Sequence, residues 1–315
     1  MNASPTPRPL RHALAAAALA ALGACTTPLP SPPIDPKALT AERLRMTTLA
    51  LAGWDAEVAR VDAVAQRLLG AALARGLCAP TRPDRGLRLE AVADLPDGLA
   101  AEVRSAGLRA RGLAVVAVDA DGPAAQAGVR PGDRVLALDG APLAPGAAAL
   151  PPAWGGDRPV TRALDGAGGP REAVVGTRAR CDARVLLDAS HDLVASTDAA
   201  GTVHIAQGMV QALTDDASLA FVIGHELGHR AHGDSAAIRL FDASGSQDQE
   251  RRADRFGIEL VHAAGYDVHQ VADVWDRLAR LDPDRVGQNP LRDHPLRAER
   301  NLRLREAIVA LDQHS

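Results

Sequence analysis

Aromatic side chains are nearly missing from this chain: three Phe, three Trp and one Tyr in 315 residues. Stacked rings therefore cannot build its core, and Ala, Leu and Val must fill it. Long apolar runs are missing as well. The most hydrophobic stretch, His12 to Leu22, is too short to span a bilayer. No cluster of Lys or Arg follows the first residues, and the formal net charge is −4, which argues against nucleic acid as a partner. The cations are almost all Arg, which carries no function by itself. The hydrophobic fraction, 47%, is that of a globular protein, and the length suits two domains.

Arg8 and Arg11 precede the His12–Leu22 run, and Leu22-Gly23-Ala24-Cys25 closes it. A basic start, a short apolar core and small residues read as a signal peptide over 1–24. The ending resembles a bacterial lipobox, in which Cys25 becomes the lipid-modified first residue of the mature chain. An ordinary secretory signal followed by a free Cys25 is the alternative. Thr26 stands where an Asp would mark inner-membrane retention, so the resemblance points to a periplasmic protein anchored in the outer membrane. TPLPSPPIDP follows, a stiff proline-rich tether within residues 25–38.

The chemistry concentrates in Ser218 to Asp234, SLAFVIGHELGHRAHGD. On a helix, His225 and His229 share one face, so two imidazoles can grip one Zn²⁺ at about 2.0–2.1 Å each. Glu226 lies beside them as a general base toward a zinc-activated water. A lone HExxH is weak evidence, but Glu250-Arg251-Arg252-Ala253-Asp254 follows and opens another helical run. Glu250 supplies a third ligand and leaves the fourth position open, as a catalytic zinc site requires. Asp254, one turn on, can hydrogen-bond a ligand imidazole.

With Asp293-His294-Pro295 and Arg300 added, these motifs resemble the HtpX-like and CAAX-prenyl-protease-like zinc metallopeptidases, metallopeptidase family forty-eight, of gluzincin type. VASTDAAGTVHIAQGMVQALTDDASLAFVIGHELGH is similar to their strand, turn, strand and active-site helix. The resemblance implies an α+β chain with a mainly helical zincin-type domain and a small antiparallel sheet. It also implies that an edge strand beside the active-site helix binds substrate backbone. His294 would approach the zinc, either filling its open position or stabilising the oxyanion; a loop histidine capping the next helix is the alternative. Arg300 matches a family arginine near the catalytic centre. His204, His232, His262 and His269 are expected at the surface.

A different pattern occupies 87–178. Asp121-Gly122-Pro123-Ala124 through Gly128, then Arg130-Pro131-Gly132-Asp133 and the strand Val135–Leu138 before Asp139-Gly140, resembles a PDZ domain of the bacterial envelope-protease type. The expectation is an inserted, mostly-β domain between an N-terminal peptidase helix (39–86, ending at the cap Gly76) and the catalytic domain (179–315). A peptide would add beside the strand starting near Leu113. Gly112, Leu113, Ala114 and Val115 would receive its C-terminal carboxylate.

Cys78 and Cys181 flank this insert. An oxidising compartment would join them as a disulfide; two separately buried thiols are the alternative. Later elements are expected as a mobile loop Arg239–Asp248 and helices Glu250–Ala264, Val268–Leu281 and Leu296–Leu311. The chain so read is an envelope zinc endopeptidase acting on polypeptides. Its rival is a latent or non-proteolytic PDZ scaffold or chaperone lipoprotein.

Overall fold

The computed structural model describes residues 33–78, 80–143, 156–157, 159–234, 243–283, 286 and 298–313. The expected signal peptide, Cys25, residues 25–32 of the tether and His294 lie outside them. The chain divides into two units between Arg45 and Met46, and the inserted sheet and the helices of the HExxH and ExxAD residues both belong to the second. Among the described residues, no helix is long and apolar enough to cross a membrane.

Helix α1 runs Pro36–Ala74 and stops where the sequence puts its glycine. Gly76 takes φ +69°. Its amide donates to the Leu73 carbonyl at 3.0 Å, and that of Leu77 to Ala72 at 2.9 Å, satisfying carbonyls the helix would otherwise leave open. Val61, Val64, Leu68, Leu69 and Ala72 enter the main apolar core. Trp54 and Val58 enter a second cluster with Val103, Ala114 and Val116. One helix thus serves both the catalytic core and the inserted sheet.

After α1 comes β1 (Thr81–Asp84) and then the strands β2 (Leu87–Glu90), β3 (Leu113–Val118), β4 (Arg134–Leu138), β5 (Ala141–Pro142), β6 (Val160–Asp165) and β7 (Arg171–Val175). Helix α2 (Asp97–Ser105) and the one-turn helix α3 (Pro123–Gln126) lie between them. The strands form one sheet in the order β2-β3-β4-β6-β7, with β5 on β4, every pairing antiparallel. Its alternate residues, Val115, Val135, Val160, Leu164 and Val175 among them, close a small core of their own.

The insert leaves and returns by one path. Strand β8 (Arg178–Cys181) pairs antiparallel with β1, from Thr81↔Cys181 to Asp84↔Arg178. Cys78 and Cys181 form a disulfide at the foot of this ribbon, Cα atoms 5.1 Å apart.

The catalytic region resumes with β9 (Arg184–Asp188), β10 (Ala195–Thr197) and β11 (Thr202–Ala206), ordered β10-β11-β9. This corrects the expected antiparallel sheet: β11 pairs antiparallel with β10 but parallel with β9. The six residues between β9 and β10 let the chain cross over, so only the hairpin turn Asp198–Gly201 obliges an antiparallel neighbour. Helices α4 (Gln207–Ala212), α5 (Asp216–His232), α6 (Ala243–Ala263), α7 (Val274–Leu281) and α8 (Ala298–Asp312) complete the chain. Two expectations shift. Residues 243–248, read as loop from their Ser and Gly, are the start of α6. Val268–Asp273 is a 3-10 helix that only then passes into α7.

Candidate metal centre

Helix α5 carries the HExxH residues through the middle of the core. Asp215 caps its start, accepting from the Ser218 amide at 2.7 Å, and the helix is buried from Ala217 through His229. Gly233, at φ +66°, ends it. Helix α6 packs against it closely because small residues meet. A Cβ on Gly224 would lie 3.1 Å from the Gly257 Cα, and one on Gly228 3.0 Å from the Ala253 Cα. Larger residues at these contacts would push α6 away and withdraw Glu250 from the two histidines.

That packing brings three ligand atoms together. The Nε2 atoms of His225 and His229 are 3.1 Å apart. Glu250 Oε2 is 3.5 Å from the first, and Oε1 3.4 Å from the second. All three residues are at most 3% exposed. A tetrahedral ion with ligands at about 2.0–2.2 Å needs roughly 3.3–3.6 Å between ligand atoms. The two carboxylate separations fall in that range and the imidazole pair lies slightly closer, so a small divalent ion fits once the two rings part by a few tenths of an ångström. Glu226, 1% exposed, follows His225 on α5 and is not one of that trio.

Each imidazole turns its other nitrogen to a carboxylate. His225 Nδ1 meets Asp254 Oδ1 at 2.9 Å, and His229 Nδ1 meets Asp234 Oδ2 at 3.1 Å. Arg300, from α8, clamps Asp254 with Nε at 2.8 Å and Nη2 at 2.7 Å. Its Nη1 reaches Glu250 at 2.9 Å, and its guanidinium lies 4.6 Å over the Trp275 ring. Burial pushes the Asp254 pKa up, but the Arg300 charge and its hydrogen bonds outweigh burial and hold it below the usual carboxylate range. Burial depresses His225, yet hydrogen bonds to Asp254 and Glu250 prevail and carry it up to about 9. Arg300 is pulled down by burial and held up more strongly by Asp254 and Glu250.

The strand edge also reaches this centre. The Thr197 hydroxyl, at the end of β10, donates toward Glu226 Oε2 at 3.0 Å and stands 3.1 Å from the Glu226 carbonyl.

Residues 183–244 and 235–308 match the model of Peptidase family M48, and residues 115–147 that of a PDZ domain. The chain carries an M48 peptidase domain and a PDZ domain. No match was found among curated proteins. Solved structures similar to parts of the chain include the HtrA3 PDZ domain bound to a phage-derived ligand, 17% identical over 31% of this chain and 88% of that one, TM-score 0.26. Another is the HtrA-type protease AlgW with decapeptide, 25% identical over 32% of this chain and 30% of that one, TM-score 0.23.

M48 peptidases are metal-dependent, and among the described residues His225, His229 and Glu250 form a group that could hold a metal ion. The structure corrects one expectation about other residues and locates a second residue. Gly112, Leu113, Ala114 and Val115 do not offer a peptide a strand edge. Leu113 and Ala114 pair with Val135 and Arg134 of β4, and Ala114 and Val115 with Glu90 and Leu89 of β2. A Cβ on Gly112 would already strike the Val135 carbonyl at 2.3 Å. Among the described residues, the sheet ends at β2 and β7. Arg300 has its guanidinium engaged by Asp254 and Glu250 and so braces the candidate ligand set.

Sequence reasoning missed Asp234 and Thr197. Asp234 follows the last helical glycine, where only an αL reversal returns a side chain to His229. Thr197 reaches Glu226 only through the pairing and packing of β10. His204, expected at the surface, lies on β11 with Nδ1 3.1 Å from Asp188 and Nε2 3.2 Å from Asp198.

Proposed function

We propose that the chain is a zinc-dependent endopeptidase of the bacterial cell envelope, lipid-anchored at Cys25 and acting on misfolded or envelope polypeptides. The observation that carries the catalytic part is the cluster of two Nε2 atoms and a carboxylate that could hold one ion, with no fourth residue joining them among the described residues. Two neutral imidazoles and one carboxylate suit Zn²⁺, leaving a position for water. A bound zinc ion would polarise the scissile carbonyl and make a water molecule acidic enough to attack near neutral pH.

The chain's own residues supply the rest. Glu226 takes the proton of the attacking water and returns it to the leaving amine. Asp254 and Arg300 fix the His225 ring so that Nε2 points at the ion. Strand β10 pairs only with β11 among the described residues, so its other edge is open to an extended substrate. Peptide capture by the PDZ domain is assigned to β2, whose outer edge has no strand partner among the described residues. The envelope assignment is supported by the basic start, the short apolar run and Cys25 in the sequence, together with the Cys78–Cys181 disulfide, since disulfides persist in oxidising compartments.

The test is elemental analysis and cleavage of an unfolded protein by the purified full chain, its Glu226→Gln variant and its His225→Ala variant. About one zinc per chain is expected in the first two and little in the third. Cleavage is expected only from the first. Zinc-free, folded wild type supplied with metal would remove the enzymatic reading and leave a peptide-binding lipoprotein. Undiminished cleavage by Glu226→Gln would dismiss Glu226 as the base.

A further inference from the structure

The two zinc histidines are supported by different means. His225 is served by Asp254, which lies within a helix, is expected from the ExxAD spacing and is clamped by the buried Arg300. His229 is served by a residue that no motif names. Asp234 sits just beyond α5, past the αL residue Gly233, and its amide donates to the His229 carbonyl at 3.0 Å. This reversal turns the carboxylate back along the helix, where Oδ2 lies 3.1 Å from His229 Nδ1. The side chain is only 3% exposed. Its second oxygen, Oδ1, accepts from Arg252 Nη2 of α6 at 3.0 Å. The carboxylate therefore has a fixed place between the two helices that carry the ligands.

We infer that Asp234 is the positioning residue for His229. Accepting the Nδ1 proton selects the tautomer whose Nε2 lone pair faces the ion, and it makes that nitrogen a better donor. Arg252 has a lesser part. It is 49% exposed, and its bond to Asp234 orients the carboxylate without touching the histidine. Acting through His229, Asp234 touches neither substrate nor metal. The inference rests on the zinc reading above and adds a residue outside both motifs.

The experiment measures zinc affinity of the full chain by competition with a chromophoric chelator, for wild type, Asp234→Ala, Asp234→Asn and Arg252→Ala. The visible spectrum of the cobalt(II)-loaded proteins is recorded alongside. Removing such a carboxylate weakens metal binding by about 10–100-fold, and that loss is expected for Asp234→Ala, with altered cobalt bands as the His229 ring turns. Asp234→Asn keeps an oxygen that accepts from Nδ1 and should recover most of the affinity. Arg252→Ala should stay within a few-fold of wild type. If Asp234→Ala destabilises the fold, the cobalt spectrum of Asp234→Asn decides instead: bands shifted from wild type, as a weaker acceptor at Nδ1 requires, support the inference, and bands and affinity identical to wild type overturn it. Wild-type zinc affinity in Asp234→Ala would overturn this inference alone. So would an equal loss in Arg252→Ala, since that would make the pair a clamp between helices. A wild type that takes up no zinc would overturn the zinc reading and this inference together.

Discussion

Thr197 is the one side chain of strand β10 whose hydrogen bond reaches Glu226, the proposed base. Its hydroxyl, 3.0 Å from Glu226 Oε2, fixes the carboxylate in one rotamer, so proton transfer starts from a defined geometry. A hydrogen bond to a charged group contributes about 1.5–3 kcal/mol, which corresponds to roughly 10–100-fold in rate. Thr197→Val is therefore expected to lower kcat by about that factor with KM changed little, and Thr197→Ser to restore it. Steady-state kinetics on a quenched peptide decide the point; equal kcat for Thr197→Val and wild type would show that packing alone holds Glu226. Arg300 illustrates the opposite situation, a residue near the centre whose charge is spent on Asp254 and Glu250.

At the scale of elements, the three-stranded sheet has an electrostatic fastening of its own. His204 on β11 bridges Asp188 at the end of β9 and Asp198 in the turn that follows β10. Partial burial lowers its pKa, but the two carboxylates outweigh burial and raise it above the ordinary histidine value. A group with a raised folded pKa contributes its stability in full below its unfolded pKa, about 6.5, and loses it as pH rises through the folded value. Wild type should therefore lose a small increment of stability between a pH just below the unfolded value of about 6.5 and one well above it, and His204→Ala should lose less. Urea midpoints at the two pH values measure this, and parallel shifts in both proteins would refute it.

The helices of the metal centre were legible in the sequence because HExxH and ExxAD are local spacings, fixed by 3.6 residues per turn whatever surrounds them. Gly76 was legible as a stop for the same reason. The partners of those helices were not. Asp234 depends on an αL turn after the helix, and Thr197 on which strand lies over which helix. The inner place of β3 had a signal that was passed over. Leu113-Ala114-Val115-Val116-Ala117-Val118 is apolar throughout, and all but its last residue is buried, as suits a strand covered on both faces. A strand that still has a face or edge for a ligand shows more alternation, as Leu87-Arg88-Leu89-Glu90 does.

At the scale of the whole molecule, a sheet with its own core is joined to a helical peptidase through α1 and a two-stranded ribbon. If β2 is the edge that captures peptide, a photo-reactive residue replacing Leu87 should crosslink to a labelled C-terminal peptide. One replacing Glu172, on the opposite edge strand β7, should not. The reverse pattern would move capture to β7, and no crosslink from either would make the sheet a spacer.

The ribbon has a mechanical consequence. β1 and β8 run antiparallel in sequence, yet both end at the same base and the same tip. A pull on the inserted sheet therefore draws the two strands in the same direction, side by side. Their cross-strand hydrogen bonds are neither sheared nor peeled, because the strands are not displaced relative to each other. The tension passes instead into the backbone on either side of the disulfide. One path enters the C-terminal end of α1, and the other enters β9, which lies beside the strand whose partner is β10. A tug on the far module would be delivered along the chain to the sheet that borders the catalytic helix.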